Sequence, residues 1–352
     1  MKYPEVLRLE QVLPQLDQFD AIIDARSPCE YAIDHLPGAI NAPVLDDAQR
    51  ITVGTMYKQV GSFEAKKLGA ALVAKNVAHH IETLWLDQPR EWRPLIYCWR
   101  GGNRSGAMAH ILAKIGWPVV QLDGGYKSFR AHVNEQLEQT PEFDFKVICG
   151  TTGSGKSRML EVLAAQGAQV LDLEQLAAHR GSVLGGLPSQ PQPSQKAFET
   201  AIWNSLRRFD HQRPVFVEAE SKKVGNLRVP AALMERMRGS DCIAMSLSRV
   251  DRVRLLMEDY QHYTSNAAAL NEQLSYLTPL HGHERIKRWQ AMATAGEMTA
   301  LVEELLQEHY DPAYLRSIDR NFVRYEQAGE LRLDAIDRDS FTAGAQQLIS
   351  RY

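Results

Sequence analysis

The sequence predicts an α/β protein of two consecutive domains, each built on a parallel β-sheet, with a helical part at its C-terminal end. The length of 352 residues corresponds to two domains of roughly 150 residues each. Short apolar runs alternate with helical patterns in both halves, as expected when helices connect parallel strands. We place the boundary near residue 140, so the predicted domains span residues 1–140 and 141–352.

Composition and charge exclude several classes of protein. Forty Lys and Arg against 43 Asp and Glu give a formal charge of -3, which argues against a uniformly basic nucleic-acid coat and against an acidic disordered chain. No segment has the apolar core of a signal peptide or the roughly 18 apolar residues of a membrane span. We therefore expect a soluble cytoplasmic protein with no membrane partner. Four cysteines without a C-x-x-C pair indicate neither a disulfide framework nor a zinc site.

Two apolar runs predict strands in the first domain. The run AIID covers residues 21–24, and the run LIYC covers residues 95–98. A charged helical stretch over residues 128–139 then leads to Pro141. Because the residue before a proline avoids the helical conformation, a helix ends there, and this is why we place the boundary at that point.

The second domain has four further runs with the length of buried strands. The spacing between them fits crossover helices. They are FKVIC at 145–149, AQVLDL at 168–173, PVFVEA at 214–219 and DCIAMSL at 241–247. Ser194 is a predicted helix N-cap, and beyond Arg249 the pattern becomes mostly helical. An apolar stripe there predicts a packed helix face rather than a cofactor pocket; its members are Met298, Leu301, Val302, Leu305 and Leu306.

A glycine-rich segment after FKVIC fits the phosphate-binding motif G-x-x-x-x-G-K-[ST]. Glycines allow backbone N–H groups to surround a phosphate, and the start of the next helix adds a favourable dipole. Ser157 is the expected ligand of a magnesium ion, with Asp172, Glu218 or Glu220 as the assisting carboxylate. A nucleotide and a diphosphate ester both fit this segment. Its residues are Gly150, Thr151, Thr152, Gly153, Ser154, Gly155, Lys156 and Ser157.

Cys98 ends the run LIYC and precedes the apolar pattern GAMAHILAKIG, so it lies at the carboxyl end of a predicted strand. A loop that leads from there into a helix directs N–H groups at the sulfur and lowers the pKa of the thiol. Arg104 is spaced to hold a tetrahedral anion with its guanidinium. Cys98 is thus the predicted nucleophile, and the predicted anion-binding residues are Arg100, Gly101, Gly102, Asn103, Arg104 and Ser105.

The spacing Cys-x5-Arg also occurs in cysteine phosphatases, although Tyr97 stands where tyrosine phosphatases usually have His. Upstream, DARSPCEYAIDHLPGAINAP at 24–43 resembles the first motif of the rhodanese family, and LDGGY at 122–126 is similar to its strand and turn after the active-site helix. The resemblance covers roughly the first 130 residues and implies a rhodanese-like fold. The cysteine loop is longer than in ordinary rhodaneses, which leaves room for a phosphate-type oxyanion.

A rhodanese-like domain with CWRGGNRS at 98–105, fused to a P-loop NTPase-like domain, resembles the tRNA 2-selenouridine synthase family over essentially the whole chain. Further similar stretches are LDLE at 171–174, HRGS at 179–182, QPSQKAFE at 192–199 and VEAESK at 217–222. The resemblance implies a transferase that first geranylates wobble 2-thiouridine in tRNA with geranyl diphosphate. Selenium from selenophosphate then replaces the geranylated sulfur, through a perselenide on Cys98.

The resemblance has three further implications. It makes His179 and Arg180 candidates for an anion-binding loop, it implies an enzyme that supplies selenophosphate as a partner, and it implies no bound prosthetic group. From the residues alone, two other functions stay open. One is a rhodanese-type sulfurtransferase coupled to an NTPase, and the other is a cysteine phosphatase with a kinase-like second domain.

Binding of tRNA is expected at a basic segment. Residues 222–254 contain eight basic and three acidic residues, a net charge of +5, which predicts salt-dependent contact with an RNA backbone. A wobble base must be splayed out and stacked for chemistry, so we expect Trp99 or Tyr126 to stack on it. The candidate backbone contacts are Lys222, Lys223, Arg249, Arg252 and Arg254.

Overall fold

The computed structural model describes residues 3–139, 142–182, 184–187 and 190–352. The chain divides into two compact units, Met1–Gln136 and Leu137–Tyr352. The predicted boundary falls on residues 140 and 141, which lie outside the described residues. Each unit contains a five-stranded parallel sheet with connecting helices, which confirms the predicted fold class.

From residue 3 onward the first unit is built mainly from five strands and six α-helices. The strands are β1 (Glu5–Leu7), β2 (Ala21–Asp24), β3 (Ala39–Asn41), β4 (Pro94–Tyr97) and β5 (Val120–Leu122). The helices are α1 (Leu9–Val12), α2 (Pro28–Ile33), α3 (Asp47–Gln59), α4 (Ser62–His80), α5 (Asn103–Ile115) and α6 (Gly125–Glu138). The sheet order is β1-β5-β4-β2-β3, with every neighbouring pair parallel. All four residues of β4 are buried, which places the strand before Cys98 in the interior.

A buried ion pair fixes the chain where β2 ends. The Arg26 guanidinium donates to both carboxylate oxygens of Asp24 at 2.6–3.0 Å and to the carbonyl of Asp34 at 2.6 Å. Tyr97 donates its hydroxyl to the Asp24 carboxylate at 2.8 Å. Burial alone would lower the pKa of Arg26, but Asp24 raises it. The network joins the carboxyl ends of β2 and β4, directly before Cys98.

The described residues of the second unit contain seven strands. They are β6 (Phe145–Cys149), β7 (Gln169–Leu171), β8 (Val215–Glu218), β9 (Lys223–Val224), β10 (Leu227–Arg228), β11 (Asp241–Ser246) and β12 (Gly329–Arg332). Five of them form a parallel sheet in the order β12-β11-β6-β8-β7, and β9 and β10 form an antiparallel hairpin. The central strand β6 is buried throughout, so the chain leaves the middle of the sheet directly into the P-loop.

Helices α7 to α10 lie between the strands of this unit in the sequence, and the helices from α11 onward form most of its C-terminal part. They are α7 (Lys156–Ala165), α8 (Leu173–Leu176), α9 (Gln195–Leu206), α10 (Ala231–Arg238), α11 (Arg249–Asp259), α12 (Gln261–Thr264), α13 (Ala267–Ser275), α14 (Thr278–His281), α15 (His283–Ala295), α16 (Met298–Leu305), α17 (Asp311–Asn321) and α18 (Arg338–Arg351). Within the described parts of the chain, no helix has both the length and the apolarity needed to cross a membrane.

Most local predictions are confirmed. Each of the six apolar runs overlaps a strand, and Ser194 caps α9 by accepting the Ala197 amide at 3.1 Å. The apolar runs did not include β1, β3, β9, β10 or β12, and β12 lies in the region predicted to be mostly helical. It has only four residues, GELR, of which alternate ones are buried, so its pattern is too short to distinguish a strand from the end of a helix.

The buried Asp24–Arg26 pair yields a stability prediction. Asp24→Ala leaves an uncompensated buried guanidinium, and we expect it to lower the stability of the first unit by about 3–5 kcal/mol. Hydrogen exchange of peptides from β2 and β4 measures this unit separately. The control is Glu64→Ala, which breaks the exposed Lys67–Glu64 pair and should cost less than about 1 kcal/mol. Equal effects of the two substitutions would contradict a structural role for the buried pair.

Candidate active sites

Cys98 follows β4 and begins the loop that leads into α5. Its side chain is only 3% exposed, and its carbonyl accepts the amide of Tyr126 at 2.8 Å. Gly101 has a φ of +64°, and a Cβ there would collide with the backbone of Leu122. The loop therefore needs glycine at this position to pass between β5 and α5.

The surroundings of Cys98 favour a thiolate. The Ser105 hydroxyl donates to Cys98 Sγ at 3.2 Å. Burial by itself would raise the pKa of the thiol, but the Ser105 hydroxyl, the amides of Ser105 and Arg100 and the charge of Arg104 lower it overall. Gln121 in turn donates to the Ser105 hydroxyl at 3.3 Å. This is the environment that a nucleophilic cysteine requires.

Arg104 is paired with a carboxylate that sequence reasoning did not select. Its guanidinium donates to both oxygens of Glu30, at 2.6 and 3.3 Å. Burial would raise the pKa of Glu30, but Arg104 lowers it below its ordinary value. The two-pronged contact predicted for an external anion is thus made to Glu30, which belongs to the rhodanese-like first motif. Of the other predicted loop residues, Arg100, Gly102 and Asn103 are exposed, Gly101 is half-buried and Ser105 is buried.

The two candidate stacking aromatics have different surroundings. Tyr126 is 2% exposed, donates its hydroxyl to Asp34 at 2.7 Å and packs under the Arg26 guanidinium at 4.0 Å. Trp99 is 38% exposed, with its ring centroid 5.5 Å from that of Tyr126. The prediction for Tyr126 is therefore wrong because its ring is enclosed, whereas Trp99 offers an accessible face beside Cys98.

The P-loop connects β6 to α7. Lys156 donates to the carbonyl of Gly150 at 2.7 Å and lies 5.5 Å from the ring centroid of Tyr314. Gly155 has a φ of +87°, and a Cβ there would lie 2.6 Å from the ring of Phe341. A residue with a side chain would therefore force the loop away from α18, which explains the glycine before Lys156.

Arg252 supports the P-loop instead of an RNA contact. It is 7% exposed and donates to the carbonyl of Thr152 at 2.8 and 2.9 Å. Its remaining N–H groups donate to the Asp311 carboxylate at 2.5 and 3.0 Å. The predicted tRNA contact at Arg252 is therefore wrong, because a buried guanidinium with these partners has no exposed face to offer a phosphate.

Carboxylates surround the hydroxyl of Ser157. It donates to Glu174 at 2.8 Å, while the Glu174 amide donates to Glu218 at 2.8 Å. The strand ends at Glu218, so the alternation of faces does not extend to Glu220, which lines the P-loop cavity. Asp172 caps α8 by accepting the Gln175 amide and lines the same cavity. Glu174 was missed because it follows the strand inside a short helix.

Three of these carboxylates, Asp172, Glu218 and Glu220, hold protons unusually tightly because their pKa values are raised. Burial, followed by the charge of Glu174, raises the pKa of Glu220 to about 8. Burial, with Asp172 as the next cause, raises the pKa of Glu218 well above its ordinary value. Burial also raises the pKa of Asp172 to about 6. A positive charge placed among these carboxylates would stabilise their ionised form, and no carboxylate of the cluster supplies such a charge.

The residues fit a magnesium ion held together with a phosphate. One carboxylate oxygen of Glu218 is buried without a hydrogen-bond partner, and Ser157 already contacts Glu174. Among the described residues, no three His, Cys, Asp or Glu side chains converge as a preformed metal cage. Magnesium usually binds one or two carboxylates, water and substrate phosphate rather than such a cage, so Ser157 and Glu174 are the residues that would hold it.

The candidate anion loop lies in the same cavity. His179 and Arg180 both line it together with Lys156. The His179 ring accepts the Gly181 amide at 3.1 Å, and burial lowers the pKa of His179. Arg180 donates to the carbonyl of Asp259 at 2.7 Å. Arg180 thus contributes positive charge to the cavity, whereas His179 is neutral.

The other basic candidates divide between two elements. Lys222 and Lys223 are exposed at hairpin β9–β10, and Arg249 and Arg254 are exposed on α11. Arg254 lies 3.3 Å from Asp251. The segment of net charge +5 therefore does not form one continuous strip along a single element.

The two units match two protein-family models. Residues 8–132 match the rhodanese-like domain, and residues 143–332 match the AAA domain of tRNA 2-selenouridine synthase. The tRNA 2-selenouridine synthase of Nitrosomonas europaea is 32% identical, covering 89% of this chain and 93% of that protein. The chain belongs to the tRNA 2-selenouridine synthase family. The Sulfurovum member is 33% identical, covering 89% of this chain and 94% of its own length, so the family relationship includes both units.

The hydrogen bond from Ser105 yields a pH prediction. Its loss in Ser105→Ala should raise the pKa of Cys98 and move the rate of alkylation by iodoacetamide to higher pH. The background is Cys29→Ser, which removes the exposed thiol. The control is Ser128→Ala, whose hydroxyl bonds the Gly125 carbonyl rather than the sulfur. An unchanged pH profile in Ser105→Ala would show that this hydroxyl does not stabilise the thiolate.

Proposed function

We propose that this chain is a tRNA-modifying transferase that makes 2-selenouridine by geranylating wobble 2-thiouridine and then replacing the geranylated sulfur by selenium. The observation that carries the proposal is the pairing, in one family member, of a thiolate loop at Cys98 with a P-loop cavity at Lys156. The first site suits a nucleophile acting on a tetrahedral oxyanion, and the second suits a diphosphate. The substrates are tRNA, geranyl diphosphate and selenophosphate.

The P-loop is the proposed geranyl-transfer site. The sulfur of 2-thiouridine attacks the first carbon of the geranyl group, the carbon–oxygen bond breaks, and diphosphate leaves with the bonding electrons. Lys156 and the loop amides stabilise the charge that develops on the leaving group. When bound, magnesium at Ser157 and Glu174 supplies further charge neutralisation. The transfer converts a thiocarbonyl into a thioether, whose sulfur is a better leaving group.

Electron balance revises the expected perselenide. Selenium has the same oxidation state in selenophosphate and in selenouridine, so its transfer with release of phosphate is redox-neutral. A perselenide formed together with phosphate would require loss of two electrons to an oxidant. Attack at phosphorus balances: the Cys98 sulfur–phosphorus bond forms, the phosphorus–selenium bond breaks, and selenide leaves with the electron pair. Water then hydrolyses the phosphocysteine to the thiol and phosphate.

The residues around Cys98 suit this step. Ser105 and the loop amides keep the sulfur as a thiolate, and the exposed Arg100 together with these amides favours a phosphate oxyanion nearby. Released selenide attacks C2 of the geranylated base, and the carbon–sulfur bond breaks to expel geranylthiol. Trp99, exposed beside the loop, is the proposed stacking partner of the base.

Nucleoside mass spectrometry after incubation with thiolated tRNA, geranyl diphosphate and selenophosphate tests the whole proposal. Conversion of 2-thiouridine to 2-selenouridine supports it. Sulfur transfer with nucleotide hydrolysis would favour the sulfurtransferase alternative, and aryl phosphate hydrolysis without nucleoside change would favour the phosphatase.

The two sites should separate by mutation. Cys98→Ser replaces the thiolate by a protonated hydroxyl, so selenation should stop while geranylated tRNA accumulates. Lys156→Ala should slow geranylation by about 100-fold or more, yet pre-geranylated tRNA should still be selenated. Mass spectrometry of the intact wild-type protein with selenophosphate should show a phosphoryl adduct without selenium isotopes.

Two variants control this experiment. Cys29→Ser removes an exposed thiol outside the loop, and Lys287→Ala removes an exposed charge on α15; both should retain activity. Failure of Lys156→Ala to selenate pre-geranylated tRNA that it binds normally would refute the division into two sites. A selenium adduct on Cys98 would refute attack at phosphorus.

Binding of tRNA is proposed to involve the exposed basic residues of α11. The double variant Arg249→Glu and Arg254→Glu should weaken binding and reduce the slope of log affinity against log salt by roughly 1.5 to 2. Fluorescence anisotropy at several salt concentrations measures both quantities. Lys75→Glu with Arg90→Glu makes the same charge change at exposed sites of the first unit. Equal weakening by both pairs would place the RNA elsewhere.

A further inference from the structure

An apolar pocket lies beside the P-loop cavity in the second unit. Its walls come from α11 and α16, through Leu256, Met257, Leu301, Val302 and Leu305, and it reaches Thr152 of the P-loop. Four members of the predicted stripe are buried, Met298, Leu301, Leu305 and Leu306, while Val302 is half-buried. The same side chains nevertheless line this pocket, so the stripe does more than pack the core.

The pocket and the P-loop cavity share part of their lining. Thr152, Ser182, Leu256, Tyr260 and Tyr310 border both. Because the same residues border both spaces, the two spaces are adjacent and can receive two parts of one molecule. The ligand that fits such an arrangement has a phosphate-bearing head and an apolar body.

The chemistry of the lining distinguishes a prenyl chain from a nucleotide. A nucleoside would bring a ribose and a base with several hydrogen-bonding groups, which cost free energy when they are buried without partners. The α11 and α16 walls present Leu, Met and Val side chains. Burial of hydrocarbon against such walls is favourable by roughly 25 cal/mol per Å².

We infer that this pocket holds the prenyl chain of the diphosphate substrate, and that α11 and α16 set the chain length that the enzyme accepts. The inference rests on the proposed geranyl transfer at the P-loop. With the diphosphate on Lys156 and the loop amides, the chain extends past Thr152 and Leu256 between the two helices. Val302 is half-buried and Met257 likewise, so both can be changed with little disturbance to the core.

Filling the pocket tests the inference. Val302→Phe should weaken binding of geranyl diphosphate by about tenfold or more, while inorganic pyrophosphate binds as before, since pyrophosphate has no chain. Calorimetry measures both ligands. The matched control is Ala300→Phe, which adds the same ring on an exposed position of α16 and should change neither. Unchanged binding of geranyl diphosphate by a folded Val302→Phe would overturn the inference.

Enlarging the pocket gives a second test. Its result is a ratio of two kcat/KM values for the same protein, so it does not depend on how much active protein is obtained. Met257→Ala should raise the ratio of kcat/KM for farnesyl over geranyl diphosphate by about tenfold. An unchanged ratio of kcat/KM values would overturn the inference. If Val302→Phe no longer binds pyrophosphate, this ratio is the measurement that decides whether the pocket holds the prenyl chain. Failure of the underlying function has a different signature: geranyl diphosphate would then bind no more weakly to Lys156→Ala than to the wild type, whatever happens at Val302.

Discussion

Both sites depend on one property of parallel sheets, which is that the carboxyl end of a strand can pass directly into a helix. The first N–H groups of that helix have no partner within the helix and therefore point into the space beyond the strand. β4 leads through the Cys98 loop into α5, and β6 leads through the P-loop into α7. In each case backbone donors and a helix dipole meet where the proposed reaction would place an anion. The chemical difference between the sites comes from one side chain in each loop, a thiol in the first and an ammonium in the second.

Each loop is held by a buried arginine that does not contact substrate in the proposed reaction. Arg26 joins the end of β2 to Asp34 and supports Tyr97 through Asp24. Arg252 joins the P-loop carbonyl of Thr152 to Asp311 on α17. Arginine suits this task because its planar fork of N–H groups can satisfy a carbonyl and a carboxylate at once. These hydrogen bonds form when the protein folds, and they restrict the backbone of the Cys98 loop and of the P-loop.

Sequence reasoning predicted what is local and missed what depends on distant contacts. The strands, the P-loop and the position of Cys98 follow from apolar runs and motif spacing within about ten residues. The Arg104–Glu30 pair joins residues 74 positions apart, and Arg252 reaches Thr152 across 100 positions. A count of basic residues between 222 and 254 could not reveal that one of them is buried. Tyr314 was missed for the same reason, since its hydroxyl accepts the amide of Gly150 from 164 positions away.

The carboxylate cluster makes the charge of the P-loop cavity depend on pH. Because the pKa of Glu220 is raised from 4.5 to about 8, the folded protein holds a proton there that the unfolded chain releases. Folding therefore loses stability from this group as the pH rises from about 4.5 through 8. A diphosphate brought alone would add negative charge to the same cavity and favour the protonated cluster still more. In the proposed reaction a divalent cation bound with it would reverse this effect, since it would stabilise the ionised carboxylates and the leaving diphosphate together. On this proposal the anion and the cation would bind cooperatively, and release of diphosphate after transfer would weaken binding of the cation.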